Sequence, residues 1–309
     1  MSKKLIIKIA EGLGNQMFMY SAALALSKKF NYDILIDNKS AYFKKKNIRD
    51  YKLDVFKITS RIADEKYMYN NFTKDFIKKI LLKIDRIKFN KKFFIEHKLK
   101  NKITFFEKIN LKNFKQNIYM EGHFESELYF KNIKKNLIQE FELNNEVDFN
   151  NYKSFIKLNK KKIVAISLRQ NRFSERSGNS FSVEAQKKSD IFVKLQLDYI
   201  KRSIELFKSK IENPIFLVFS NFSSNLENLL NKKDENFKII NSDLLLQNKT
   251  EIDFSLLQMC KHHIVGASTF HWWPAWLNYT NQTDTLIIRP VDINPSNNKD
   301  FWPTDWIPV

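Results

Sequence analysis

The chain has 309 residues, 43% of them hydrophobic, which is enough for one large or two ordinary domains, and two is the reading adopted. With 53 Lys and Arg against 34 Asp and Glu, the net charge of +19 calls for an acidic partner: a nucleotide, a nucleic acid or an anionic membrane face. A lone cysteine, Cys260, excludes a disulfide framework and a thiolate metal site and fits a reducing compartment, while apolar runs too short for a signal-peptide core or a membrane span predict a protein neither secreted by that route nor membrane-spanning.

Residues 4–9 read as a buried strand, and Gly12-Leu13-Gly14-Asn15-Gln16 turns it into a helix predicted from Met17 to about Lys29. A second strand, 32–37, ends in the carboxylate of Asp37. Two glycines at the turn and an acid about 20 residues later nearly match a dinucleotide fingerprint, with Met17 in place of the third glycine. From about 72 to 117 the chain is basic and aromatic. Lys78, Lys79, Lys83, Arg86, Lys88, Lys91 and Lys92 interleave with Ile77, Ile80, Leu81, Ile84, Ile87, Phe93 and Phe94, which reads as amphipathic helix. One reading is a solvated lysine face over an ordinary core; the sharper one is docking on an anionic membrane surface. A strand at 118–121 follows, then Gly122-His123-Phe124-Glu125-Ser126-Glu127 and a helix to about Phe141.

Polar residues 143–160 form a connector with one helix, and the domain boundary is placed there. Strands at 163–168, 214–219, 237–240 and 286–288 then alternate with helices at about 190–209 and from about 223. Between the last two strands, 250–278 reads as helix, strand, tight turn, helix. The first helix starts at about 250. Lys261, His262 and His263 suit its C-terminus, and the strand is 264–267. Pro274 tolerates only the first turn, so the second helix is expected to start near His271 or Trp272, with Ser268 and Thr269 just before it. Two hydroxyls and unpaired N–H groups at one strand end make a phosphate-binding arrangement; capping of the helix is the plainer alternative. Trp272, Trp273 and Trp276 read as core or domain-interface aromatics.

Only five glycines occur, where average composition gives about twenty, so each is expected to mark a special backbone angle or a close approach. Three strand ends point to one edge of the second half: Arg169, Ser220 with Asn221, and Ser268 with Thr269. Arg169 opens a charged loop in which arginine can hold a phosphate and Glu175 can act as general base. No D-x-D spacing and five scattered histidines give no persuasive metal cluster, so a departing diphosphate would be met by arginine, hydroxyls and helix N–H groups.

Gly12-Leu13-Gly14-Asn15-Gln16-Met17-Phe18, with Tyr20, resembles the G-G-L-G-N-Q-M-F-Q-Y opening of bacterial α-1,2-fucosyltransferases, glycosyltransferase family 11, with Glu11 at the first glycine. Residues 119–130, YMEGHFESELYF, are similar to that family's Y-x-x-G-x-x-Q-S-x-x-Y-F. The 250–278 stretch is similar to its E-x-D-x-x-L-M-x-x-C-x-H-x-I-x-A-N-S-S-F-S-W-W-x-A-x-L. The family's H-x-R-R-x-D motif falls on 167–172 and keeps only its first arginine, Arg169; Ser167, Gln170 and Arg172 replace the rest, and Arg172 would restore lost positive charge from another position.

The resemblance implies a GT-B-like α/β fold of two Rossmann-type domains facing a central cleft. Residues 1–150 would be the acceptor side, carrying the basic insert, and 151–309 the GDP-sugar binder. It implies inverting transfer of fucose from GDP-fucose, with no cofactor or metal, to a galactose-containing glycan such as a lipopolysaccharide oligosaccharide. The location would be cytoplasmic, with peripheral contact to the inner face of an anionic membrane. The expected catalytic pair is Arg169 with Glu175, Glu11 being the second choice of base. The expected substrate contacts are Gly14, Asn15, Gln16, Arg169, Arg172, Ser220, Asn221, Asp253, Ser268, Thr269 and Phe270. Two rival classes remain open at this point: a basic nucleic-acid-binding protein, which lacks any signature of that kind, and an oxidoreductase using the 4–37 unit.

Overall fold

The computed structural model describes residues 2–44, 49–85, 90–96, 109–145, 150–177, 182–222, 226–230, 236–240, 249–278, 284–296 and 298–309. The chain divides into two units: Met1–Asn144 with Asn298–Phe301, and Asn145–Asn297 with Trp302–Val309.

The first unit is built on a five-stranded parallel sheet of order β3-β2-β1-β5-β4. Its strands are β1 (Lys4–Lys8), β2 (Asp33–Asp37), β3 (Arg61–Ile62), β4 (Lys91–Ile95) and β5 (Phe114–Glu121). Helix α1 (Leu13–Phe30) joins β1 to β2 and is buried nearly all round from Leu13 to Ser27, which is why it shows apolar and small residues on every face. It starts four residues before the predicted point, so Gly14, Asn15 and Gln16 form its first turn and are not a loop. Gly12 is the N-cap, and Glu11 takes the left-handed conformation with φ 63° that glycine adopts most easily.

The predicted 72–117 amphipathic helix resolves, among the described residues, into a helix, a strand and the start of β5. Helix α2 (Phe72–Asp85) is followed by β4, in which Phe93 and Phe94 are buried strand residues, and 86–89 and 97–108 lie outside the described residues. The helix does not lay its isoleucines on a core: Ile77, Ile80 and Ile84 are exposed, and Lys78 is buried. The predicted helix before Phe141 is α3 (Lys134–Glu140), preceded by 3-10 turns.

The second unit carries a six-stranded parallel sheet of order β11-β10-β9-β6-β7-β8. The strands are β6 (Ile163–Leu168), β7 (Ile215–Ser220), β8 (Phe237–Ile239), β9 (His262–Ile264), β10 (Ile287–Arg289) and β11 (Ile307–Pro308). Central β6 is buried along its whole length, as a parallel strand covered on both faces must be. One face packs on α5 (Val183–Lys210) and α6 (Leu226–Leu230) through Tyr199, Ile200, Ile204, Phe207 and Leu226. The other packs on α4 (Asn150–Leu158) and α7 (Lys249–Met259) through Ile156, Ile252, Leu256, Leu257 and Cys260.

Helix α8 (Thr269–Asn278) follows β9. His262 and His263 belong to the strand, not to a helix end. Both are fully enclosed, with His262 Nδ1 accepting from Leu286 N–H at 3.0 Å and His263 Nε2 lying 3.0 Å from the Cys260 carbonyl. Burial pushes their imidazoles down to about 4 and about 3, so both are neutral at pH 7. Helix α8 begins two to three residues earlier than Pro274 suggested, and the proline sits inside it. Trp272, Trp273 and Trp276 are buried and pack with Trp306, so they are core residues of this unit.

Candidate active site

In the second sheet, β6 leads through α5 to β7 on one side, whereas β9 lies on its other side. The strand order therefore reverses between β6 and β9, and the loops leaving those two strands part at that point. Open α/β sheets bind ligands at such a crevice. Arg169 leaves β6 there, and Gly266, Ala267 and Ser268 leave β9.

Arg169 is positioned from both ends. Its backbone is clamped by the side-chain amide of Gln196 on α5: the Arg169 N–H donates to Oε1 at 3.2 Å, and Nε2 donates to the Arg169 carbonyl at 2.8 Å. Its guanidinium makes a short ion pair with Glu175, both side chains being about one-quarter exposed (26% and 23%). Glu175 arrives on the 3-10 turn Ser174–Ser177, tied by its N–H to the Asn171 carbonyl at 3.0 Å, with Asn171 in the left-handed region at φ 51°. Ser189 Oγ accepts the N–H groups of Phe173 and Ser174 at 3.1 and 3.2 Å, which holds the loop on α5.

On the β9 side the approach of backbones is close. A Cβ on Gly266 would stand 2.3 Å from the Ser167 carbonyl oxygen and 2.9 Å from His271 Nδ1. Glycine is required here by contact and not by an unusual dihedral. Gly266→Ala is therefore expected to destabilise the fold by about 2 kcal/mol, as overpacking does, with the thermal midpoint falling by several degrees in a melting experiment.

Ser268 is the helix cap of the plainer reading: its Oγ accepts the Phe270 N–H at 3.2 Å, and its carbonyl accepts the Trp272 N–H at 3.2 Å. Thr269 is the first helical residue. Ser268, Thr269 and Phe270 are half-buried, and the Phe270 ring packs on Phe254 at 6.1 Å. His271, on the first turn, is buried, and its Nδ1 has no hydrogen-bond partner. Burial, reinforced by the charge of Arg169, pushes its imidazole down to about 3, so the ring is neutral at pH 7.

The remaining predicted residues divide differently from expectation. Ser220 and Asn221 do not stand open at the edge. They bind the neighbouring loop, with Gln170 Nε2 donating to Ser220 Oγ at 3.0 Å and Gln170 N–H donating to Asn221 Oδ1 at 2.7 Å. Arg172 is held by backbone: it donates to the carbonyls of Ala267 at 3.3 Å and Pro295 at 2.6 Å and lies over the Phe192 ring. Asp253 is buried on α7. In the first unit Gln16 is fully buried and spent on the backbone, donating to the Glu11 and Asp50 carbonyls at 2.8 and 2.7 Å and accepting from Lys52 N–H at 2.9 Å. Gly14 is buried, and Asn15 is half-exposed on the first turn of α1. Asp37, the acid a bound ribose would need, is buried and caps its own turn while accepting from Tyr119 Oη at 2.6 Å. The oxidoreductase reading loses its key group.

Gln196 and His271 were not selected as site residues from sequence. A glutamine in mid-helix carries no local signal, whereas His271 could have been found by its place directly after Ser268-Thr269-Phe270. Among the described residues no three His, Cys, Asp or Glu side chains are grouped so as to hold a metal ion.

With that geometry in place, comparison with known proteins settles the class: the model of Glycosyl transferase family 11 matches residues 1–308, and the chain belongs to that family. It is a glycosyltransferase with a GT-B-like fold. An alpha-1,2-colitosyltransferase of Escherichia coli is 24% identical over 312 residues, 98% of each chain. The O-antigen biosynthesis glycosyltransferase WbnK of the same organism is 29% identical over 114 residues, 37% of this chain and 36% of its own. The fold is shared with NodZ alpha-1,6-fucosyltransferase from Bradyrhizobium, whose crystal soaked with GDP-fucose superposes with a TM-score of 0.51 at 11% identity, covering 90% of this chain and 93% of that one. It is also shared with Arabidopsis thaliana FUT1 in complex with GDP, at a TM-score of 0.54 and 12% identity over 96% of this chain and 72% of that one.

Proposed function

We propose that the chain transfers L-fucose, or a deoxy relative of it, from its GDP-sugar to the 2-hydroxyl of a galactose in a lipopolysaccharide or O-antigen oligosaccharide, with inversion and without a divalent ion. The observation that carries this is Arg169, clamped at the β6/β9 switch point beside the first turn of α8. In this reading residues 151–309 hold the nucleotide sugar and 1–150 serve the acceptor, Asn15 being the candidate among the three residues of the α1 turn. The reaction would take place in the cytoplasm, where GDP-sugars are made, on an acceptor at the inner face of the cell membrane.

The incoming diphosphate is dianionic and competes with Glu175 for the same guanidinium. Its binding draws Arg169 off the carboxylate, and Arg169, the Thr269 hydroxyl and the N-terminal N–H groups of α8 take up the charge that builds on the leaving oxygen. Glu175, released, accepts the proton of the attacking hydroxyl as the new glycosidic C–O bond forms and the bond to phosphate breaks. His271 stays neutral, so that it neither repels the guanidinium nor competes for the phosphate.

The full-length colitosyltransferase relative favours a second donor, GDP-colitose, which lacks one ring hydroxyl of fucose. The test is incubation with each GDP-sugar and galactose-ended acceptors in the presence of EDTA, with the product linkage identified. Transfer to the 2-hydroxyl that persists under chelation is the expected result; activity abolished by EDTA and restored by a divalent ion would overturn the metal-independent mechanism.

A further inference from the structure

Helix α2 turns a mixed side inward and leaves an apolar one outside. On a wheel of 100° per residue, Asp75, Lys78, Leu81, Leu82 and Asp85 fall on one side, and this side faces the unit. Its contacts are of two kinds: Leu81 and Leu82 pack against the core that holds Ile6, Leu35 and Phe93, while Lys78 pairs with Glu121 beneath the rings of Tyr69 and Tyr119 and Asp85 accepts the N–H groups of Lys92 and Phe93 at 2.7 and 3.0 Å. The opposite side shows Phe72, Phe76, Ile77, Ile80 and Ile84 to solvent at 75, 63, 46, 44 and 41% exposure. Lys79, ion-paired with Asp75 at 3.4 Å, is exposed at one border of that stripe, and exposed Lys83 falls just inside the same border, between Phe72 and Phe76 on the wheel. From Phe72 to Ile84 it runs roughly 18 Å at 1.5 Å per residue.

An apolar stripe with two phenylalanines and a lysine border, on a chain of net charge +19, has the makeup of a helix that lies in a headgroup interface. We infer that α2 docks this protein on an anionic lipid bilayer surface, Phe72, Phe76 and Ile80 entering the acyl boundary and Lys79 and Lys83 meeting lipid phosphates. No helix among the described residues is long and apolar enough to cross a membrane, so the contact is peripheral. Charge complementarity selects this occupant over a second copy: pairing two such faces would bring like-charged lysine borders together on two chains of the same high charge. The inference deepens the proposed function by naming the surface that brings the enzyme to a lipid-borne acceptor, and it rests on that reading only for the acceptor.

Flotation with vesicles of phosphatidylcholine and phosphatidylglycerol in equal parts, against phosphatidylcholine alone, tests it. The wild type is expected to float with the anionic vesicles and to be released by high salt. The double variant Phe72→Ser, Phe76→Ser is expected to lose at least ten-fold in vesicle affinity while keeping its turnover on a soluble acceptor and a melting temperature within a few degrees of wild type, both side chains being largely exposed and Phe72 giving up only an edge contact with the Phe43 ring at 5.6 Å. Unchanged flotation of that variant overturns the inference. So does light scattering that shows a wild-type dimer converted to monomer by the same substitutions, which would make the stripe an interface between copies. Arg169→Ala separates the two readings: loss of its transfer with flotation intact supports the surface independently of the catalytic assignment.

Discussion

Replacing Arg169 by alanine is expected to lower turnover about a hundred-fold or more. The charge that develops on a departing diphosphate has to be met at once, and a preorganised donor in a partly dehydrated site contributes far more than the same group in water. Arg169 is preorganised by the Gln196 clamp on its backbone, which the substitution leaves in place, so the loss should appear in kcat and not in the fold. Arg172 cannot stand in for it, because its guanidinium is held on the carbonyls of Ala267 and Pro295. Arg169→Lys should fall between, keeping the charge but losing the planar fork. Steady-state kinetics with the GDP-sugar decides it, and a near-normal rate in the alanine variant would refute the assignment.

The second large effect is expected at Glu175. Glu175→Gln should reduce kcat by about a hundred-fold, in the range of a lost general base, while GDP binds as tightly as before or more tightly. The two halves of this result have different causes. The amide cannot accept the hydroxyl proton, which slows chemistry. It also no longer competes for Arg169 as a full negative charge, which favours the nucleotide. Calorimetry with GDP beside kcat on the same preparation separates them. A kcat within a few-fold of wild type would leave Glu175 as a positioning partner of Arg169 and send the search for the base to Glu11, which lies in the turn before α1.

Both results depend on a site that was half legible in the sequence. Arg169 stands out as a candidate because it ends a run of apolar residues long enough for a buried strand, and Glu175 because it is a carboxylate six positions on. The hydroxyl and amide of Ser220 and Asn221 were found by the same strand-end logic, but the fold uses them on Gln170, about fifty residues away. Gln16, in a glycine turn that invites a ligand, is instead the knot that joins that turn to residues 50–52. The hydrophobic pattern of 72–85 announced an amphipathic helix without stating which side faces inward. That depended on what the unit offers: Glu121 pairs with Lys78 and the core takes Leu81 and Leu82, which leaves the isoleucines outside.

The sequence by itself determined the alternation of strands and helices and the family, and it marked the strand ends proposed here to carry chemistry. These rest on short-range periodicity and on motifs contiguous along the chain. Only the tertiary structure decided which polar groups remain available. It spent Gln16, Arg172, Ser220 and Asn221 on internal hydrogen bonds, buried His271 as a neutral ring within the influence of Arg169, and made Gly266 obligatory by bringing the Ser167 carbonyl against it. The reason is that a polar side chain near a buried backbone must satisfy whatever donor or acceptor folding sets next to it, and that neighbour comes from a distant part of the chain.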